Sequence, residues 1–348
     1  MTKNTTLDVL KGMAIILVVY GHLLQRTMLM TGDDFFAHPV FKIIYTFHMP
    51  LFFFISGYLV ARSFSRKNIP TVFMARCQGL LFPHLVWGTL AVLVLWTLSA
   101  KQQPVNFAAE WIHQLFITPQ IWFLWALFFC SAALLLCVPL QKYVGPLIFL
   151  AMWGLMLLIP NKQIYGLYYI IWFFPFYAVG YLFSRDEASL MAKLNKKFVF
   201  AMCLVLFAIL APLWSYADYI YNNKMSVFSE YPNVAVSQMA YRYVVGFLGI
   251  GLAFFAGAYL VKTSVRYFLE FIGSYSLEIY LLQCFLVEGL FHRIWPKTGI
   301  VLDPYSPLFL VVFAPFLTML AIGLCMTISQ WLIRSNPVTN MLFLGRRI

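Results

Sequence analysis

The chain has 348 residues, of which 62% are apolar, 19% aromatic and only 10% charged. Soluble domains carry about 25% charged residues because their surface faces water, so the composition excludes a soluble globular protein. The net charge of +12 does not mark a nucleic-acid partner, because the basic residues are spread among loops rather than gathered in one patch.

Taken in chain order, apolar stretches run at approximately 8–27, 42–62, 77–98, 119–138, 143–159, 166–184, 198–216, 241–261, 268–290 and 307–333. Ten helices of roughly 20 residues would use about 200 positions, leaving short loops and no sizeable soluble domain. The expected fold is therefore all-α: a polytopic integral membrane bundle of about ten transmembrane helices, with residues 1–348 forming one membrane-embedded domain. The first stretch is not read as a removable signal peptide, because no small-residue cleavage site follows it. Longer loops fall near 28–41, 99–118, 217–240 and 291–306, and no internal repeat is evident. Cys77, Cys130, Cys137, Cys203, Cys284 and Cys325 lie in or at the ends of apolar stretches without CxxC spacing, which points to packing rather than to disulfides or zinc.

Orientation follows from the loop charges. With the N-terminus inside, the inner segments hold Lys3, Lys11, Arg62, Arg66, Lys67, Arg76, Lys142, Arg185, Lys193, Lys196, Lys197, Lys262, Arg266, Arg334, Arg346 and Arg347. The outer side holds Arg26, Lys42, Lys101, Lys162, Lys224, Arg242, Arg293 and Lys297, which makes sixteen against eight. Both termini are thus expected in the cytoplasm, and all four long loops outside.

Ionisable groups within the hydrocarbon are costly and usually face a cavity or a partner. Asp8 and Lys11 sit three apart at the inner start of the first helix, on one face, where they either pair or lend Lys11 to an inner basic mouth. His22 lies about four residues, or roughly 6 Å, below the outer end of the first helix, and His48 about six residues, or roughly 9 Å, below that of the second. Two readings stand for this depth-matched pair: each imidazole caps a neighbouring helix carbonyl, or both face one cavity. A metal site is not expected, since no third ligand is evident at that depth. Pro50 should kink the second helix near the pocket, and Ser56-Gly57 would admit a neighbouring backbone.

At the inner face Lys11, Arg62, Arg66, Lys67, Arg76 and Arg266 either anchor the topology or line a mouth that attracts phosphates. Arg76 is singled out because it heads the third helix beside Leu80-Leu81-Phe82-Pro83, where an anionic ligand would reach it. Trp122 and Trp125 open the fourth helix at the outer interface, where tryptophan is common. Glu278 falls mid-helix in the ninth span and needs a partner or water.

These residues bring a family into view. Leu7-Asp8-Val9-Leu10-Lys11-Gly12, with a hydrophobic run ending Gly21-His22, resembles the opening of the membrane acyltransferase-3 family, in which Arg or Lys precedes His by eleven positions, as Lys11 precedes His22. Phe47-His48-Met49-Pro50-Leu51-Phe52-Phe53-Phe54-Ile55-Ser56-Gly57-Tyr58 is similar to the second-helix motif, especially in the branch resembling fucose O-acetylases. Ile121-Trp122-Phe123-Leu124 and Gly273-Ser274-Tyr275-Ser276-Leu277-Glu278-Ile279-Tyr280-Leu281-Leu282-Gln283 look like two further signatures.

The resemblance implies a ten-helix bundle of a bacterial inner membrane that uses cytoplasmic acyl-CoA, acetyl-CoA in the first instance, to modify extracytoplasmic glycans or lipid-linked sugars. It gives His22 a catalytic role and places Lys11 and Arg76 near the donor. Two departures stand out. Gly79 occupies the position where many members carry a second arginine, and Gln283 replaces a histidine that often ends the ninth-helix signature; the latter argues against a base from that helix.

Acyl transfer needs a base, a positioned thioester and a group that stabilises the oxyanion. Neutral His22 is expected to serve as general base or as transient acyl carrier, and His48 to orient the acceptor, stabilise the oxyanion or hold His22 in one tautomer. The rival reading is a proton-coupled secondary transporter with His22, His48 and Glu278 as its relay. A non-enzymatic lipid-binding or scaffold protein is a weaker third.

Overall fold

A computed structural model of the chain describes residues 4–64, 67–99, 106–117, 119, 121–159, 166–218, 232–300 and 302–346. Lys3, Arg66, Lys101, Lys162, Lys224, Arg347 and most of the 217–240 loop lie outside them. Among the described residues the secondary structure is helical and contains no strand.

The first helix, α1 (Thr5–Thr31), starts where the Asn4 side chain accepts a hydrogen bond from the Leu7 amide and stops at Gly32, whose left-handed backbone (φ 79°) suits glycine. It is followed by α2 (Pro39–Phe64), then by α3 (Ile69–Arg76), which runs through a π-helical turn at Cys77–Leu81 into α4 (Phe82–Ser99). Next come α5 (Phe107–Ile112), α6 (Trp122–Val144), α7 (Leu147–Leu157), α8 (Leu167–Lys193), α9 (Lys196–Leu210) and α10 (Pro232–Leu260). The last third holds α11 (Val265–Ser274), α12 (Ser276–Gln283), a π-helical segment at Cys284–Phe291, the single turn α13 (His292–Ile294), α14 (Ala314–Ile328) and α15 (Pro337–Leu344).

Eight of these helical runs are long and apolar enough to cross a membrane. They correspond to eight of the ten expected stretches. The other two are helical but differ in form. The stretch at 143–159 forms the 11-residue α7, about 16 Å long and short of the roughly 30 Å hydrocarbon core. The stretch at 268–290 is not one helix. Tyr275 leaves helical geometry at φ −105° and ψ 9°, and the preceding Ser274 carbonyl accepts a hydrogen bond from Arg334 at 3.0 Å instead of a helical amide.

The chain divides into two units, the first made of Met1–Phe52, Leu194–Tyr219 and Arg242–Arg334, the second of Phe53–Lys193, Ile220–Tyr241 and Ser335–Ile348. In the first, α1 crosses α11 at a pair of glycines: a Cβ on Gly12 would strike the Leu269 carbonyl, and one on Gly273 would strike the Asp8 carbonyl. Small residues that bring backbones together are how membrane helices gain packing energy where lipid removes the hydrophobic drive. The second unit repeats the device, with Gly57 against the Tyr177 carbonyl and Gly180 against the Phe54 carbonyl, as the Ser56-Gly57 pair suggested. There Trp122 stacks on Tyr169 at 4.4 Å and on Phe173 at 5.5 Å, and Phe173 stacks on Phe53 at 4.2 Å. Trp122 is therefore a packing residue within the helices rather than only an interfacial anchor.

The loop after α1 is tied down in the first unit. His38 is buried, its ring 4.8 Å from that of Tyr305, and burial holds its pKa below the ordinary histidine value against a hydrogen bond to the Pro304 carbonyl. This fixes the N-terminal end of α2, the helix that carries His48.

Candidate active site

His22 projects from α1 within the first unit. Its Nδ1 lies 2.8 Å from Oε1 of Gln283, the last residue of α12, and 3.2 Å from Oε1 of Glu288 in the following π-helical segment. Arg26, one turn beyond His22 on the same face of α1, donates to the other oxygen of Glu288 at 3.1 Å. The Gln283 amide nitrogen faces Glu288 Oε1 at 3.5 Å and Cys284 Sγ at 3.2 Å. The His22 ring is held at Nδ1, and its side chain keeps 20% of its surface exposed.

His22 therefore does not cap a helix carbonyl, while the other two histidines in the spans do. His48 Nδ1 donates to the Ile44 carbonyl of its own helix at 2.7 Å, with the ring 4.7 Å from Tyr45 and almost wholly buried. His84, which the sequence reading passed over, meets the Leu115 carbonyl at 3.0 Å and is fully buried beside Trp125. His48 thus bonds a carbonyl of its own helix rather than of a neighbour, while His84 bonds one from a different helical segment.

Depth also changes. With α1 ending at Thr31 and α2 starting at Pro39, each of His22 and His48 stands nine residues from its helix end, about 14 Å along the axis. They remain matched, deeper than the sequence suggested, and near enough to interact electrostatically. Pro50 lies inside α2 and lacks the amide that would reach Thr46; just upstream the Thr46 hydroxyl and the His48 ring donate to the Ile43 and Ile44 carbonyls at 2.7 Å each.

The inner basic residues are satisfied in different ways. Lys11 pairs with Asp8 at 2.6 Å, one of the two alternatives open from the sequence. Arg266 meets the Tyr267 hydroxyl at 2.6 Å. In the second unit Arg62 bonds the Tyr58 hydroxyl at 2.6 Å and lies 3.8 Å from Glu187. Arg76 ends α3 at the π-helical turn, partly exposed, with no ion pair among the described residues. It is close enough to act on the buried Tyr177, whose hydroxyl shares a hydrogen bond of 2.5 Å with Ser131. Gly79, where a second arginine is often found, faces open space.

Glu278 has a partner. Arg334 holds its Oε1 through both Nε, at 3.0 Å, and Nη2, and lies 3.7 Å above the Tyr275 ring. Glu278 stands five residues before Gln283, roughly 7.5 Å along the helix, and belongs to this ion pair rather than to the group around His22. Two arginines counted on the outer side, at the ends of their apolar stretches, stand well inside helices: Arg26 as above, and Arg242, which is buried in α10 and bonds the Ala217 carbonyl, 3.8 Å from Asp218.

Sequence reasoning missed Glu288 and stated that no carboxylate lay at the depth of His22. The reason is geometric. On an α-helix a residue five positions on points about 140° away, so Glu288 reads as turned from Gln283. In the π-helical segment the wider i to i+5 turn brings the two together. Arg26 was legible, four residues after His22 on α1.

Residues 4–330 match the family described as an acyltransferase domain, acyltransferase-3. The chain is 30% identical over 233 residues to a nodulation protein, NolL, of Mesorhizobium japonicum, covering 66% of this chain and 61% of that protein. It is also 30% identical over 238 residues to the NolL of Sinorhizobium fredii, covering 65% and 61%. The chain thus spans about three fifths of the length of these curated relatives. No solved structure matches it. A match to nearly the whole length places this polytopic helical chain in the acyltransferase-3 family of membrane proteins.

Proposed function

We propose that the chain is a transmembrane O-acyltransferase that takes an acyl group, acetyl in the first instance, from cytoplasmic acyl-CoA to a hydroxyl of an extracytoplasmic glycan or lipid-linked sugar. The observation that carries the reading is His22, an imidazole deep in a spanning helix, held at Nδ1 by Gln283 and Glu288 with its side chain still one-fifth exposed. Family membership supplies the reaction class.

His22 Nε2 takes the proton of the acceptor hydroxyl as its oxygen attacks the thioester carbon. The carbon–sulfur bond breaks, and the thiolate of CoA leaves with the proton that the imidazolium returns. In the covalent variant Nε2 attacks the thioester carbon and expels the thiolate of CoA; the acceptor oxygen then displaces the imidazole from the acyl carbon, and the hydroxyl proton passes to the thiolate. Both routes use the same nitrogen. His48, buried and bonded to Ile44, assists by position rather than by proton transfer.

Lys11 and Arg76 are candidate contacts for the phosphates of the donor. Arg76→Ala is expected to weaken acyl-CoA binding by roughly 10- to 150-fold, the worth of a charged hydrogen bond of about 1.5–3 kcal/mol. Titration of acetyl-CoA into purified, folded variant checks it; unchanged affinity would return Arg76 to a topological role. The same preparation tests the function. Acyl groups should pass from labelled acetyl-CoA to a glycan acceptor, whereas flux of a solute without acylation would mean a transporter.

The reading also sets the protein in a bacterial inner membrane with both termini and residues 185–197 in the cytoplasm. A cysteine probe at 193 should resist labelling from outside intact cells, and labelling there would invert the donor and acceptor sides.

A further inference from the structure

We propose that Glu288, with Gln283, is a positioning residue that holds His22 with its proton on Nδ1 and its lone pair on Nε2, and that Arg26, by holding the other oxygen of Glu288, keeps the carboxylate beside the ring, where it stabilises the imidazolium formed during transfer. The inference rests on the reading of His22 as the reacting base.

The hydrogen bonds determine the tautomer. Nδ1 faces two oxygens, Gln283 Oε1 at 2.8 Å and Glu288 Oε1 at 3.2 Å, and an acceptor pair requires a donor between them. The Gln283 amide cannot be turned round without aiming its oxygen at the Glu288 carboxylate, since its nitrogen now lies 3.5 Å from Glu288 Oε1. Gln283 thus does a different task from a base. A neutral amide oxygen fixes the ring, while the carboxylate behind it supplies charge. Arg26 donates to Glu288 Oε2 at 3.1 Å and so holds the carboxylate in place beside the ring. A neutral neighbour would orient the ring equally well, but only an anion offsets the positive charge that appears on His22 as the hydroxyl proton arrives.

The titratable and charged groups around His22 are Arg26 on its own helix, Glu288 and Cys284 on the π-helical segment, and His48 on α2. Of these, Glu288 touches the ring and can be made neutral with little change of shape. Glu288→Gln is therefore the test. Acetyl transfer at saturating acetyl-CoA should fall about tenfold, the difference between a charged and a neutral hydrogen bond. The acidic limb of the pH–rate profile should move about one unit or more toward lower pH, because losing the anion makes His22 a weaker base. A purely structural Glu288 would reduce the amount of folded enzyme without moving that limb.

Should Glu288→Gln fail to fold, Arg26→Met addresses the same arrangement from the other side. Removing the cation makes His22 a stronger base, so the limb should move toward higher pH. His22→Ala is measured beside them. If His22→Ala still transfers acetyl groups, the reading of the base fails and this inference with it. If His22→Ala is inactive while Glu288→Gln, or Arg26→Met in its place, keeps the wild-type rate and an unmoved limb, the positioning role alone is overturned.

Discussion

His22→Ala is expected to lower acyl transfer by at least roughly 10²–10⁴-fold, the span of general base catalysis, and by more if the imidazole carries the acyl group. Folded protein and acetyl-CoA binding should be preserved. The expectation of a stable variant comes from what the imidazole leaves behind. Gln283 retains its contacts to Glu288 and Cys284, and Glu288 retains Arg26 at 3.1 Å, so no buried charge is stripped of its partner. The comparison is acyl transfer by equal amounts of folded wild type and variant in detergent or liposomes, with CoA affinity measured on the same samples. Near-normal transfer would remove His22 from the chemistry. Loss of activity only in step with loss of folded protein would make it a packing residue. His48→Ala should cost less activity, since its ring satisfies Ile44 on its own helix and makes no contact with the Gln283–Glu288 pair.

The spans, and the family, were legible because hydropathy over twenty residues is a strong signal, and because Lys11, His22, His48 and Gln283 stand at fixed separations along the chain. What escaped was geometry that departs from a uniform α-helix. The ninth stretch looks continuous by hydropathy, yet it breaks at Tyr275 and changes to π-helical turns at Cys284, and this change delivers Glu288 to His22. A 3.6-residue period applied across it points Glu288 elsewhere. Likewise α10 starts at Pro232, nine residues before the apolar stretch expected at 241, so Arg242 lies in the interior of a helix rather than at its first turn. A polar first turn hid the helix start. The Asp8–Lys11 pair shows the opposite case, where an i,i+3 spacing on an ordinary helix offered the ion pair that forms as one of two readings. Loop charges gave an orientation, and five of the counted residues, Lys11, Arg26, Arg62, Arg242 and Arg334, also pair with carboxylates.

The second large effect concerns Arg334 and Glu278, and it is expected to be one-sided. Arg334→Met should destabilise the folded protein by about 3–5 kcal/mol, because the Glu278 side chain is fully buried and loses the guanidinium that neutralises it. The variant also gives up the Arg334 hydrogen bond to the Ser274 carbonyl at the break between α11 and α12 and the stacking on Tyr275. Glu278→Gln should cost clearly less. It leaves behind Arg334, which is 26% exposed and sits at the end of a spanning run, where a long side chain can turn its charge toward water or headgroups. The double variant Glu278→Gln/Arg334→Met should recover much of the loss, since replacing both charges removes the desolvation cost together with the attraction. Thermal and denaturant stability of the four proteins in one detergent reads the cycle. Equal losses from the two single changes, simply adding in the double variant, would mean that the pair is not coupled. The same variants weigh enzyme against transporter. A proton relay needs Glu278 to bind and release a proton, which glutamine cannot do, so the relay reading requires folded Glu278→Gln to be inactive. An acyltransferase that uses Glu278 to hold Arg334 and the α11–α12 break should keep acyl transfer within a few-fold in the folded Glu278→Gln protein, because His22, Gln283 and Glu288 remain where they are.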